Sequence, residues 1–287
     1  MAKATRLLFV LLLPLMWPLN SWALPVDIQA AKNEGMRLYN IGHSTAAIPY
    51  LHQAADAGDV DAMYYMGESE RRQKMMGFTT AAMERYLKAA EQGDPYAMLR
   101  LFQGGACIGG VCPEGGDDWR EAALEVTLPK AKAGDPEAML AMYYIYANLD
   151  ASRLTSIYNL VGIPTRAGKW LKRAAEAGLA EAQTLWGSQV MDGRGWYFTN
   201  SRRLQAAEFW LRQAAEQEYV PAMVTLTSVL EKQGKYSELW SWVKRASLLG
   251  SRIARVVHGE CLIAPEGLEY CRTEASPIQG GQCFMRS

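Results

Sequence analysis

Histidine is scarce, with three in 287 residues. His43, His52 and His258 lie far apart and no His-Glu-x-x-His occurs, so the helical zinc-hydrolase arrangement is excluded. Cysteine is sparse too, five in all, and its spacing lacks the paired His or second Cys pair of a zinc site. Net charge is absent: 30 Lys and Arg balance 30 Asp and Glu. A broad surface for nucleic acid or anionic membrane is thereby excluded. The glycine-rich stretch from Gly104 to Gly116 lacks the Lys-Ser or Lys-Thr that completes a phosphate loop, and no βαβ pattern surrounds it. No cofactor and no metal are expected from these absences. What remains is an ordinary globular composition, 49% hydrophobic and 21% charged. It is rich in aromatics that pack repeats and anchor interfaces, 14 Tyr and 9 Trp.

One ten-residue unit recurs six times with small edits. The copies start at Ala54 (AADAGDVDAM), Ala89 (AAEQGDPYAM), Lys130 (KAKAGDPEAM), Ala174 (AAEAGLAEAQ), Ala214 (AAEQEYVPAM) and Ala246 (ASLLGSRIAR). Their origins are Gly58, Gly93, Gly134, Gly178, Glu218 and Gly250. Four residues on, every copy carries Ala (Ala62, Ala97, Ala138, Ala182, Ala222, Ala254). Eleven residues before the origin stand Ala47, Ala82, Ala123, Ala167 and Ala207, with Leu239 in the last copy. The unit reads as a helical hairpin. The Gly closes the first helix in a left-handed conformation. Asp94 and Asp135 then suit an N-cap, and Pro95 and Pro136 the first position of the second helix. Bulk precedes the double Ala in Tyr50-Leu51, Tyr86-Leu87, Trp170-Leu171, Trp210-Leu211 and Trp242-Val243, while Val126-Thr127 fill those slots in the third copy. One hairpin cannot bury such a face, so neighbours must stack. Leu at Ala97 or Ala182 is expected to overpack at ~1–3 kcal/mol, and the same change at Ser69, read as an exposed loop residue, to cost little.

This spacing of Ala, aromatic, Ala-Ala, Gly and Ala resembles the Sel-one-like repeat (SLR), a relative of the tetratricopeptide repeat. The continuation of that pattern is best reproduced by Leu185-Trp186-Gly187 and Gly193-Arg194-Gly195. Glu218 in place of Gly and the missing Gly-x-Gly of most copies depart from it. The resemblance implies an all-α, right-handed α/α superhelical solenoid of about six hairpins, spanning residues 44–259. Before it, Ile28, Ala31, Gly35, Leu38 and Tyr39 predict a capping helix within residues 24–43.

The N-terminus reads as an export signal. Lys3 and Arg6 precede the apolar run Leu7 to Trp17, and Ser21-Trp22-Ala23 supplies a cleavage site after Ala23. The run is broken by Pro14 and is shorter than the ~20 residues a span needs, so no membrane insertion is expected after cleavage. A periplasmic or secreted chain starting at Leu24 follows. In that compartment Cys107 and Cys112 fit a small disulfide loop within the insertion at 104–116. Asp118 with Glu121 fits the cap that restarts the helix. In the tail, residues 260–287, Cys261 with Cys271 is the first choice of pair, and Cys283 is either free or an alternative partner of Cys261.

Two local stretches bear on function. Ser241-Trp242-Val243-Lys244 matches the Ser-x-x-Lys of penicillin-recognising enzymes, but Ser-Asp-Asn and Lys-Thr-Gly are absent and Trp242 fills a repeat slot. Trp196, Tyr197 and Phe198 follow a Gly-rich turn. The favoured packing reading has them wedge between the fourth and fifth hairpins; the functional reading makes them an exposed anchor for a partner protein. Should they prove structural, the groove is expected on the first-helix faces. The expected function is a non-catalytic scaffold that binds a protein. Resemblance to short exported repeat proteins implies an immunity protein against a phospholipase-type effector of a type VI secretion system. A periplasmic or envelope adaptor and a β-lactam-binding or hydrolysing protein are the alternatives.

Overall fold

In the computed structural model the described residues are 24–73, 79–103, 116–149, 165–251 and 253–254. The export signal, Cys107, Cys112, Cys261, Cys271 and Cys283 lie outside them. Among the described residues there are twelve helices and no strand. They are α1 (Val26–Asn40), α2 (Ser44–Asp56), α3 (Val60–Arg72), α4 (Thr80–Glu91), α5 (Pro95–Gln103), α6 (Gly116–Ala133), α7 (Pro136–Leu149), α8 (Arg166–Glu176), α9 (Ala180–Met191), α10 (Asn200–Glu216), α11 (Val220–Lys232) and α12 (Tyr236–Leu248). Each packs on the next in chain order, as a solenoid requires. None is long and apolar enough to cross a membrane.

The repeat register of the sequence is the register of the backbone. All six origins have positive φ, from 62° at Glu218 to 104° at Gly134. In every copy the N–H following the origin donates to the carbonyl five residues back, at 3.0–3.3 Å, which closes the helix in a Schellman motif. Glu218 is the one non-glycine with positive φ among the described residues, a conformation that costs ~1–2 kcal/mol for a residue with a Cβ. Asp94 accepts from the Ala97 N–H at 2.6 Å and Asp135 from Ala138 at 3.3 Å, so both cap as expected. The six Ala after the origin, the five before it and Leu239 are all buried.

The bulk slot differs from expectation. The buried position is seven residues before the origin, held by Leu51, Tyr86, Thr127, Leu171, Leu211 and Val243. The residue ahead of it lies at the rim in three units, where Tyr50 is exposed and Trp170 and Trp210 are half-buried, while Trp242 of the last unit is buried. Tyr86 thus sits in a leucine slot, one register off the pair Tyr86-Leu87. The neighbouring helix makes room with a glycine: a Cβ on Gly67 would come within 2.7 Å of the Tyr86 ring, and Gly35 and Gly187 face Leu51 and Leu211 in the same way at 2.8 Å.

Two further expectations fail. Asp118 does not cap a helix, because α6 already runs from Gly116. Ser69 is no loop residue: it lies in α3 with 0% exposure, and its hydroxyl has no partner among the described residues. The helix continues through Ser69 because α3 needs this turn to bring Glu68 inside. Ala46, exposed and adjacent to buried Ala47 in α2, is the proper comparison. Leu at Ala97 or Ala182 should cost ~1–3 kcal/mol and Leu at Ala46 within ~0.5 kcal/mol, read from denaturation midpoints. Equal costs at all three would mean that the Ala contacts do not set hairpin closure.

Second helices touch each other across the array, α5 on α7 and α9 on α11, and α1 touches α3 likewise. The second helices therefore form the tighter, inner wall. Curvature carries the ends together: Arg37 donates to the Leu249 carbonyl at 3.1 Å, and His43 Nε2 lies 3.1 Å from the Gly250 carbonyl. The first and last described units thus meet, leaving a space at the centre.

Candidate binding cavity

The inner wall encloses a cavity of 360 Å³. Its lining comes from α1 (Tyr39, Asn40), α3 (Tyr64, Tyr65, Glu68, Arg71, Arg72), α5 (Tyr96, Leu99, Arg100), α7 (Glu137, Tyr144), α9 (Glu181) and the start of α11 (Tyr219, Pro221). Among the described residues no first helix contributes to this lining.

Tyrosine dominates the lining for a geometric reason. In the second helix of each hairpin the Ala four residues past the origin faces the first helix, so positions three, six, seven and ten past it face inward. Tyr64, Tyr65, Tyr96 and Tyr144 occupy such positions. Their rings touch in sequence: Tyr39 to Tyr65 at 4.9 Å between centroids, Tyr65 to Tyr64 at 5.1 Å, Tyr64 to Tyr96 at 5.7 Å and Tyr96 to Tyr144 at 5.8 Å. Burial, then nearby Glu68 or Glu181, pushes the phenols of Tyr64, Tyr65 and Tyr96 well above their ordinary range, so they stay protonated donors. Among the described residues the hydroxyls of Tyr64, Tyr65 and Tyr219 have no hydrogen-bond partner.

Charge divides the cavity. On one side Glu68 is a buried carboxylate held from four helices. Arg100 donates to it at 2.6 and 3.1 Å, Arg71 at 2.8 and 3.2 Å, Tyr86 at 2.8 Å and Tyr39 at 3.4 Å. Burial alone would push its pKa up, but the hydrogen bonds from Arg71 and Arg100 and the charge of Arg100 override that and hold it at about 2. Arg72 stacks on Tyr39, 3.7 Å from the ring centroid, and donates to the Tyr39 carbonyl. On the other side stand Glu137 and Glu181. The Glu181 carboxylate accepts from the Tyr144 hydroxyl at 3.4 Å. Glu137 has its side chain open to the cavity, while Tyr96 donates to its backbone carbonyl at 3.3 Å. Burial first, then Glu181, Asp61 and Asp135, pushes the Glu137 carboxyl up to about 7. Burial raises Glu181 too, against the Tyr144 hydrogen bond and the charge of Arg72.

The aromatic run after Gly195 is elsewhere. Trp196 is 78% exposed and Phe198 85%, so these two do not wedge between hairpins. Only Tyr197 is half-buried and packs against the core. The positive φ of Gly193 and Gly195 turns the chain outward before the run, which alternation then splits between core and solvent. Ser241 is exposed on α12 and donates to the Glu238 carbonyl of its own helix at 2.7 Å, with Lys244 exposed beside it. That is a surface helix turn rather than a nucleophile with its base. Among the described residues no group of three or more His, Cys, Asp or Glu gathers in a metal-holding arrangement.

Sequence reasoning passed over the cavity. A usable signal was present: 14 Tyr against 6 Phe shows a preference for the hydroxyl, which a purely apolar core does not need.

No protein-family model matches the chain, and comparison with curated proteins gives no match. Among solved structures, the chain is similar to a Sel1 repeat protein from Oxalobacter formigenes, with 21% identity over 77% of this chain and 85% of that one, at a TM-score of 0.39. It is also similar to c5321, a protective antigen of uropathogenic Escherichia coli displaying an SLR fold, with 22% identity and a TM-score of 0.39. That match covers 85% of this chain and spans 55% of the antigen's length. The hairpin architecture itself stands on this chain's own helix order and packing.

Proposed function

We propose that this protein is a non-catalytic scaffold that binds a polypeptide partner in its central cavity. The observation that carries the reading is the inner wall itself: tyrosines, most of them in ring contact and three with hydroxyls that have no partner among the described residues, beside two carboxylates with no ion-pair partner there. Tyrosine supplies rigid contact area and a polar tip at low entropic cost, which suits recognition. A cavity of 360 Å³ lies at the small end of the ~300–1,000 Å³ range of ligand sites, so it takes a side chain or short segment rather than a folded domain. The finer proposal is an exported immunity protein, held in the periplasm, that neutralises a phospholipase-type effector of a type VI secretion system. It is supported by the N-terminal sequence and by a surface helix turn at Ser241 where the β-lactam reading needs a nucleophile. An envelope adaptor is favoured by one separate observation, the exposed Trp196 and Phe198, which offer a second face away from the cavity.

Co-expression with a phospholipase-type effector, chosen from the genes beside this one, tests the finer proposal. The wild-type chain should protect the cell. Tyr96→Ala/Tyr144→Ala should abolish protection, and Trp196→Ala/Phe198→Ala should leave both protection and melting temperature nearly unchanged. Protection lost with the second pair alone would move the binding face to the aromatic turn. No protection by the wild type would remove the immunity reading.

A further inference from the structure

The charges around the cavity do not balance locally. Glu68 is more than compensated by Arg71 and Arg100, and Arg72 adds a third cation stacked on Tyr39. Across the cavity, Glu137 and Glu181 have no Lys, Arg or His within 4.0 Å among the described residues. Their neighbours are instead tyrosines: Tyr144 on the Glu181 carboxylate, Tyr96 on the Glu137 backbone, and Tyr219 on the same wall. Both carboxylates line one cavity beside tyrosines, Glu181 half-buried and Glu137 exposed; a cation entering there would offset their charge and gain from the aromatic rings around it.

The chemistry of the cation follows from the donor set. Two carboxylates and one phenol hydroxyl fall short of the six to eight oxygen ligands that calcium takes. They match the needs of an ammonium or guanidinium group, which donates several hydrogen bonds and stacks on aromatics. The geometry points to a receptor for one basic side chain, lysine or arginine, of a partner polypeptide, formed by Glu137, Glu181, Tyr96, Tyr144 and Tyr219. This deepens the binding reading above and rests on it. The basic partner group would replace the missing counter-charge, and Arg71, Arg72 and Arg100 on the opposite wall would repel a second one, so the cavity admits a single cation in one orientation.

The test uses the full chain with tyrosine rings labelled for NMR, titrated at pH 8 with Nα-acetyl-arginine amide and in parallel with Nα-acetyl-norleucine amide. That pH lies above the value of about 7 to which the Glu137 carboxyl is raised. The other charged groups near the two carboxyls are Asp61, Asp135, Arg72 and Arg100, besides the tyrosines. The arginine amide should shift Tyr96 and Tyr144 resonances saturably with a Kd of roughly 1–10 mM, and the norleucine amide should not. Glu137→Gln/Glu181→Gln should weaken the arginine amide at least about tenfold without lowering the melting temperature, since it removes two like charges from one enclosure. Equal shifts by both amides, unchanged affinity in the double variant, or no saturation by roughly 50 mM would overturn the inference. If Tyr96→Ala/Tyr144→Ala still abolishes protection while the arginine amide fails to saturate, the cavity remains a binding site and only the basic-group assignment falls.

Discussion

Replacing Glu68 by Ala is expected to destabilise the protein by ~3–5 kcal/mol, the range for breaking a buried pair and leaving charge behind. Glu68 is 2% exposed and joins α1, α3, α4 and α5 through Tyr39, Arg71, Tyr86 and Arg100. Its loss strands two guanidiniums that are themselves largely covered. At ~2–4 °C per kcal/mol the melting midpoint should fall by roughly 6–20 °C. Glu68→Gln keeps the shape and some hydrogen bonds, so it should fall between wild type and Ala.

The same residue sets the acid response. Its folded pKa of about 2 lies below the ordinary 4.5. The stabilisation it gives is therefore present above pH 4.5 and is lost as pH falls through 2, about 3 kcal/mol in all. Glu68→Ala should be missing this acid loss. Glu137 works in the opposite sense: with its folded pKa raised to about 7, the folded protein takes up a proton before the unfolded chain does, so stability should rise as pH falls from 7 towards 4.5. Urea midpoints across pH 2–8 would display both limbs. An acid limb of equal size in wild type and Glu68→Ala would mean that the carboxylate is not held as described.

The parts of this fold that were legible in sequence are those set by local chemistry and repeated. A Gly that closes a helix and an Ala at the contact leave nearly the same mark in each copy, and Glu218, a departure from the pattern in sequence, takes the left-handed conformation of the other origins. Curvature is different. It comes from small differences in how second helices approach each other, and it alone brings Tyr39, Tyr96, Tyr144 and Tyr219 around one space. Nothing in the spacing of those residues announces that they meet. Ser69 was misread because helix α3 buries two neighbouring polar residues, Glu68 and Ser69, and the Glu68 partners Tyr39, Tyr86 and Arg100 lie on other helices, out of reach of a local reading. Trp196 and Phe198 were read as packed because aromatics usually are, and the two glycines that turn the chain outward carried the contrary information.

Tyr86→Ala is the second large effect expected, ~3–5 kcal/mol for emptying a buried aromatic site. Tyr86 is wholly buried where Leu51, Leu171 and Leu211 stand in other units. Its extra reach does two things: the ring lies on Gly67, and the hydroxyl donates to Glu68. Tyr86→Phe isolates the second and should cost ~1–3 kcal/mol, since a charged acceptor loses a donor. Gly67→Ala isolates the first. In a helix that change ordinarily gains ~1 kcal/mol, yet here the new methyl would come within 2.7 Å of the ring, and overpacking of that kind costs ~1–3 kcal/mol. Gly67→Ala should therefore destabilise the wild type but stabilise the Tyr86→Ala variant, where the methyl enters vacated space. The reversal of sign is the diagnostic, because two independent sites would give the same increment in both backgrounds. Additive denaturation midpoints would show that the Tyr86 ring does not rest on α3, and with it that the tyrosine wall is not anchored through Glu68.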